Sequence, residues 1–312
     1  MSFAMVFPGQ GSQSIGMFDA YGDAPEVVNT IRVGSEILGQ DVGRLVREGP
    51  VEELSKTTNT QPLMVIAGII AYRVWQAKGG PAPQFVAGHS LGEYTALVVA
   101  GALTFEECLP LVRLRAQAMQ EAVPQGVGAM AAILGLDDDK IRAACAEAAQ
   151  GQVVDAVNFN APSQVVIAGH AQAVQRACEL CKTKGAKRTV MLPVSAPFHS
   201  SLMGPAADRL TGYLAAVKFK SPTIRVIHNF DVAEHTDPQA IRNVLAKQAN
   251  HPVLWVDTIR RMAAFGVTQL AECGPGKVLA PMAKRIDERV SGVALVDRAA
   301  IEQGITTIKG AS

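Results

Sequence analysis

Gln84-Phe-Val-Ala-Gly-His-Ser-Leu-Gly-Glu-Tyr94 is the stretch on which the reading of the fold turns. Its first residues, 84–87, read as a strand, broken at Gly88. From Leu91 to about Ala100 the sequence predicts a helix. Between them lies Gly88-His89-Ser90-Leu91-Gly92, a G-x-S-x-G at a sharp strand-to-helix turn. Such a turn exposes the serine Oγ, and its two glycines let strand and helix approach closely. The helix N-terminus favours negative charge, and the N–H after the serine is free to donate to an oxyanion. A blander reading stays open at this point, in which Ser90 only caps the helix.

Outward from this turn the pattern is strand, helix, strand. Residues 3–7 are apolar and stop at Pro8, as a buried strand feeding a loop would. Residues 61–77 have helix length and a wide apolar face, with Pro62 expected in the first turn. Thr104, followed by Glu107 three positions later, predicts the start of a helix that runs to Ala122. The short apolar runs 224–227, 267–271 and 293–296 are separated by helical segments such as 253–265. Strands alternating with helices predict a parallel sheet covered on both faces. Residues 126–194 read differently. Strand 130–134, a helix from Asp137 to about Ala149, strands 153–159 and 164–168 joined by Asn160-Ala-Pro-Ser163, a helix 171–184 and strand 188–192 follow one another. That β-α-β-β-α-β order is the ferredoxin-like arrangement. The expectation is an α/β protein in two parts, residues 1–125 with 195–312 and an inserted α+β subdomain at 126–194.

Composition limits the function classes. The 312 residues are 48% hydrophobic and 18% charged, enough for a large core and against disorder. Basic and acidic residues nearly cancel, 29 against 28, which argues against a nucleic-acid binder. The longest apolar run, residues 63–72, is half the roughly twenty residues a membrane span needs, so no span is expected. The first basic residue is Arg32, so neither a secretory signal nor a transit peptide is expected. Cys108, Cys145, Cys178, Cys181 and Cys273 suggest reduced thiols and a cytoplasmic setting. A serine nucleophile needs a base, and six histidines are available. His89 is poorly placed, because adjacent residues on such a turn point apart. Spacing does not rank His170, His199, His228, His235 and His251.

Five motifs carry a resemblance. Phe7-Pro8-Gly9-Gln10-Gly11-Ser12-Gln13, Gly88-His89-Ser90-Leu91-Gly92-Glu93-Tyr94, Arg115 in Val112-Arg-Leu-Arg115, Ala196-Pro-Phe198-His199 and Gly274-Pro-Gly276-Lys277 stand in order along essentially the whole chain. Together they are similar to the malonyl-CoA:acyl carrier protein transacylases, an acyltransferase family whose motifs polyketide synthase acyltransferase domains share. The resemblance implies an α/β-hydrolase-like domain with a ferredoxin-like insertion. It implies transfer of malonyl from malonyl-CoA to acyl carrier protein through a malonyl-serine, in fatty-acid synthesis, with no metal or bound cofactor and in a monomer. By matched position Ser90 is the nucleophile and His199, 109 residues on (199 − 90), its base. The backbone carbonyl of Gln248 would orient His199, and the amides of Gln10 and Leu91 would form the oxyanion hole. Phe198 matches the residue that accompanies malonyl preference.

Arg115 has two readings. It is either a surface arginine paired with Glu107 or Glu121, or a buried cation whose planar fork awaits the free carboxylate of a malonyl thioester. Gln61, Asn158 and Asn160 either border the substrate or close local hydrogen bonds. Cys178-Glu-Leu-Cys181 has no second ligand pair and reads as core rather than metal site. Lys182, Lys184, Lys187 and Arg188 make the most basic stretch, either a solvated helix end or a surface for an acidic carrier protein.

Overall fold

Strand β1 (Ser2–Phe7) is apolar on both faces and buried from Phe3 onward, which suits it to the middle of a parallel sheet. The computed structural model describes residues 2–310. Among them the further strands are β2 (Phe85–Gly88), β3 (Gly128–Leu134), β4 (Val154–Ala161), β5 (Gln164–His170), β6 (Arg188–Met191), β7 (Arg225–Val226), β8 (Val267–Cys273) and β9 (Ser291–Leu295). Five make a wholly parallel sheet in the order β7-β2-β1-β8-β9, with β1 paired to both β2 and β8, the latter with a register shift between Ser2 and Phe3. The period of two divides β1 between two cores. Phe3, Met5 and Phe7 face one, with helix Thr57–Ala77, while Ala4 and Val6 face the other, with helix Trp255–Ala264.

The remaining four strands form an antiparallel sheet in the order β4-β5-β3-β6. Helices Asp138–Ala149 and Ala171–Thr183 cover one face of it, over Ala131, Ile133, Val165 and Ile167. The other face, with Met130, Val157, Val166 and Ala168, turns toward Phe198 and Leu192. The β-α-β-β-α-β order expected from the sequence is present. Cys178 and Cys181 are buried under this sheet, and all five thiols are free. No helix among the described residues is long and apolar enough to cross a membrane.

Two details differ from expectation. The helix predicted over 61–77 begins at Thr57, so Pro62 lies inside it rather than in its first turn. Thr57, Thr58, Asn59 and Thr60 are polar, so periodicity missed them, and Pro62 lacks the N–H that would have continued the helix bonds at its position. The turn expected over 160–163 shrinks to Pro162-Ser163, because β4 runs on through Ala161. Ser163 adopts φ +58° to close it.

Candidate active site

The site begins with backbone that only glycine permits. A Cβ on Gly88 would lie 1.8 Å from the carbonyl carbon of Gly92, and one on Gly92 would lie 2.1 Å from the oxygen of Phe7. Strand β2 and helix Gly92–Val99 therefore meet with no room between them, and Ser90 is forced to φ +51° at the corner. Its N–H donates to Asn229 Oδ1 at 2.7 Å, and Asn229 Nδ2 donates to the oxygen of Gly88, so one asparagine braces both sides of the turn.

Ser90 Oγ is 2.6 Å from His199 Nε2, and His199 Nδ1 is 2.8 Å from the backbone oxygen of Gln248. A carbonyl only accepts, so Nδ1 carries the proton and Nε2 is left to accept from the serine. His199 also holds a left-handed backbone, φ +65°. Burial, and next the Arg115 guanidinium, push its imidazole down to about 3, which keeps it neutral near pH 7. The other histidines bond elsewhere: His89 to Asn160, His170 to Val153, His228 to Glu93, His235 to Asp231 and His251 to Lys247. Geometry thus ranks what spacing left open.

Arg115 lies in helix Phe105–Glu121, whose start is fixed by the Thr104–Glu107 capping box read from the sequence. It is 1% exposed, which removes the surface reading. Glu107 is engaged at the cap and Glu121 pairs with Arg209. The guanidinium donates to Gln61 Oε1 at 2.9 Å, to Gln248 Oε1 at 2.9 Å and to Ser90 Oγ at 3.2 Å. Its Nε has no partner among the described residues.

A cavity of about 230 Å³ opens over these groups. Gln10, Ser90, Leu91, Arg115 and His199 form its polar end, and Met130, Val166, Leu192, Val194 and Phe198 its apolar wall. The wall is the uncovered face of the antiparallel sheet, so both sheets build the cleft. The N–H groups of Gln10 and Leu91 have no protein acceptor among the described residues, as an oxyanion hole requires. Gln10 Nε2 is tied to Thr57 Oγ1 at 3.3 Å. Gln61, Asn158 and Asn160 all line the cavity.

Comparison with known proteins agrees with this geometry. Residues 4–296 match the family model described as "Acyl transferase domain". Over 300 residues the chain is 52% identical to the malonyl CoA-acyl carrier protein transacylase of Escherichia coli K12, covering 96% of this chain and 97% of that one. The chain belongs to the malonyl-CoA:acyl carrier protein transacylase family. Solved structures superpose closely on this transacylase-family chain. An acyl-carrier-protein S-malonyltransferase from Burkholderia pseudomallei matches at TM-score 0.97 and 57% identity, covering 98% and 100% of the two chains. A malonyl-transacylase in complex with a type II polyketide synthase acyl-carrier protein matches at 0.97 and 48%, also covering 98% and 100%.

The structure also brings in residues whose roles the sequence did not disclose. Glu93, wholly buried, accepts from Asn229 N, from Gln248 Nε2 and from the His228 ring beneath the elbow. The one signal was an acid in the first turn of an otherwise apolar helix. Asn229 carries no local signal at all. Of the basic stretch, Lys182 pairs with Glu179 and Lys184 with Glu147.

Proposed function

We propose that this chain transfers the malonyl group of malonyl-CoA to the phosphopantetheine thiol of acyl carrier protein, by way of a malonyl ester on Ser90. His199 Nε2 takes the Ser90 proton as Oγ attacks the thioester carbon, while the amides of Gln10 and Leu91 hold the oxyanion. The CoA sulfur leaves with the proton from His199. The carrier thiol then gives its proton to His199 and attacks the ester, and Ser90 Oγ departs and is reprotonated. Gln248, through its carbonyl, keeps the ring in the tautomer both halves need. Phe198 narrows the cavity against branched acyl chains. No metal or bound cofactor enters any step.

The observation that carries the reading is a buried arginine beside a serine–histidine pair. A fully buried cation, short of partners and 3.2 Å from the nucleophile, suits an acyl group that brings its own carboxylate. The carrier as acceptor is supported by the similar malonyl-transacylase solved with its carrier protein. In this reading residues 1–125 and 195–312 form an α/β-hydrolase-like domain, residues 126–194 form a ferredoxin-like subdomain, and the monomer works in the cytoplasm in fatty-acid synthesis.

Intact mass spectrometry tests it. Malonyl-CoA should leave one malonyl group on the protein, and added carrier protein should remove it. Ser90→Ala should abolish the gain, and His199→Ala should slow it by about 100-fold or more. Free malonate in place of malonyl-carrier would make the chain a hydrolase, and labelling at another residue would end the Ser90 assignment.

A further inference from the structure

Among the described residues, no carboxylate touches Arg115. Its three acceptors, Gln61 Oε1, Gln248 Oε1 and Ser90 Oγ, are all neutral, although the guanidinium is 1% exposed. Buried guanidinium groups ordinarily meet a carboxylate, because burying an unpaired charge is costly. An acid lies close by. Glu93 is wholly buried and accepts at 2.8 Å from Gln248 Nε2, whose own Oε1 accepts from Arg115. The Gln248 amide therefore stands between the two charges as a neutral spacer. Glu93 only accepts and Arg115 only donates, so that amide fits one way round. On the other side, Gln61 of helix Thr57–Ala77 occupies Nη1 with the same kind of atom, an amide oxygen.

We propose that Gln61 is a specificity-determining positioning residue, which fixes the Arg115 fork with a neutral oxygen and so leaves its charge unpaired for the carboxylate of the acyl donor. The inference rests on the malonyl reading above and adds a reason why an amide, rather than an acid of the same shape, holds the arginine. Either residue would satisfy the N–H bond. Only the amide keeps the positive charge available, whereas a glutamate at 61 would form an internal salt bridge of the bidentate or end-on kind and compete with the incoming anion. Gln61 is the informative position because its recorded bond is to Arg115 alone, whereas Gln248 also holds His199, Ser90 and Glu93.

The test is acylation of the full chain by malonyl-CoA and by acetyl-CoA, with thermal melting of each variant. Gln61→Glu should lower malonyl kcat/KM by at least about 30-fold, leave acetyl transfer level or raised, and melt no lower than wild type, since it completes a buried ion pair. Gln61→Met, similar in length but without the amide oxygen, should melt lower and lose less of the malonyl preference than Gln61→Glu. A merely structural glutamine would make both donors slow together in step with the melting temperature. An unchanged malonyl-to-acetyl ratio in a folded Gln61→Glu protein overturns the proposal. Failure of the wild-type chain to take malonyl at all would instead remove the reading beneath it.

Discussion

Arg115 shows how much depends on a single buried charged group. Its bonds to Gln61, Gln248 and Ser90 leave two of the five guanidinium N–H groups without a recorded acceptor. Pairing with a malonyl carboxylate should contribute roughly 2–4 kcal/mol, or about 30- to 1000-fold in kcat/KM. Arg115→Ala should forfeit that for malonyl while acetyl transfer holds or rises, apart from a small loss common to both donors as Gln61 and Gln248 lose a donor. Arg115→Lys keeps the charge without the fork and should fall between. Parallel rates for the two acyl-CoAs settle it, and a wild-type ratio in the alanine variant would detach Arg115 from specificity. At this scale the sequence revealed identities better than connections. Ser90 was legible because glycine spacing and the strand–helix switch are local, whereas the two readings of Arg115 were separated only by its burial. His199 became legible only through its motif, since the histidine beside Ser90 is selected by distance in space, and 109 residues intervene (199 − 90). Asn229 and His228 reach the elbow from beyond β7, and nothing near them in the chain announces it.

At the scale of elements, close approach is what fixes the turn that carries Ser90, and glycine chemistry was readable in advance. Gly88 and Gly92 make contacts that no Cβ would survive, 1.8 Å and 2.1 Å from backbone atoms. Gly88→Ala should therefore cost more than about 3 kcal/mol and leave little folded protein, as measured by yield and urea denaturation. Gly212, in helix Gly204–Ala216, has nothing within 4 Å of a Cβ. Gly212→Ala should stabilise by about 0.5–1 kcal/mol through helix propensity. Equal effects at the two positions would show that the elbow relaxes more readily than its packing suggests. Elements with an unbroken apolar run or a named cap, such as β1 and the helix after Thr104, were legible. The start of helix Thr57–Ala77 was not, because Thr57 and Thr60 are buried by tertiary packing that leaves no mark on a hydrophobic pattern.

For the whole molecule, the decisive fact is that both sheets contribute to the walls of one cleft. His89 Nε2 meets Asn160 Oδ1 at 2.8 Å, and Val253 bonds on both sides of Asn158, to Val157 O and Phe159 N, so β4 is fastened against the parallel sheet's own loops. His199 is 3% exposed in that cleft, and its burial has a consequence for stability in acid. The imidazole falls from an ordinary 6.5 to about 3, first by burial and then by the positive Arg115, with Ser90 and Gln248 as its hydrogen-bond partners. Between those values the unfolded chain binds a proton that the folded chain refuses, so unfolding stability rises with pH across this window and levels above about 6.5. Lowering the pH must therefore remove stability, at a slope approaching about 1.4 kcal/mol per pH unit for this one group. Burial lowers His89 as well, which acts in the same direction. His199→Asn isolates the larger contribution, because asparagine does not titrate and tolerates the left-handed backbone at this position. Urea denaturation at intervals from pH 7 down to pH 4 should give a steeper decline for the wild type than for the variant. Parallel declines would mean that His199 takes up its proton in the folded protein, and that its burial does not hold the ring neutral.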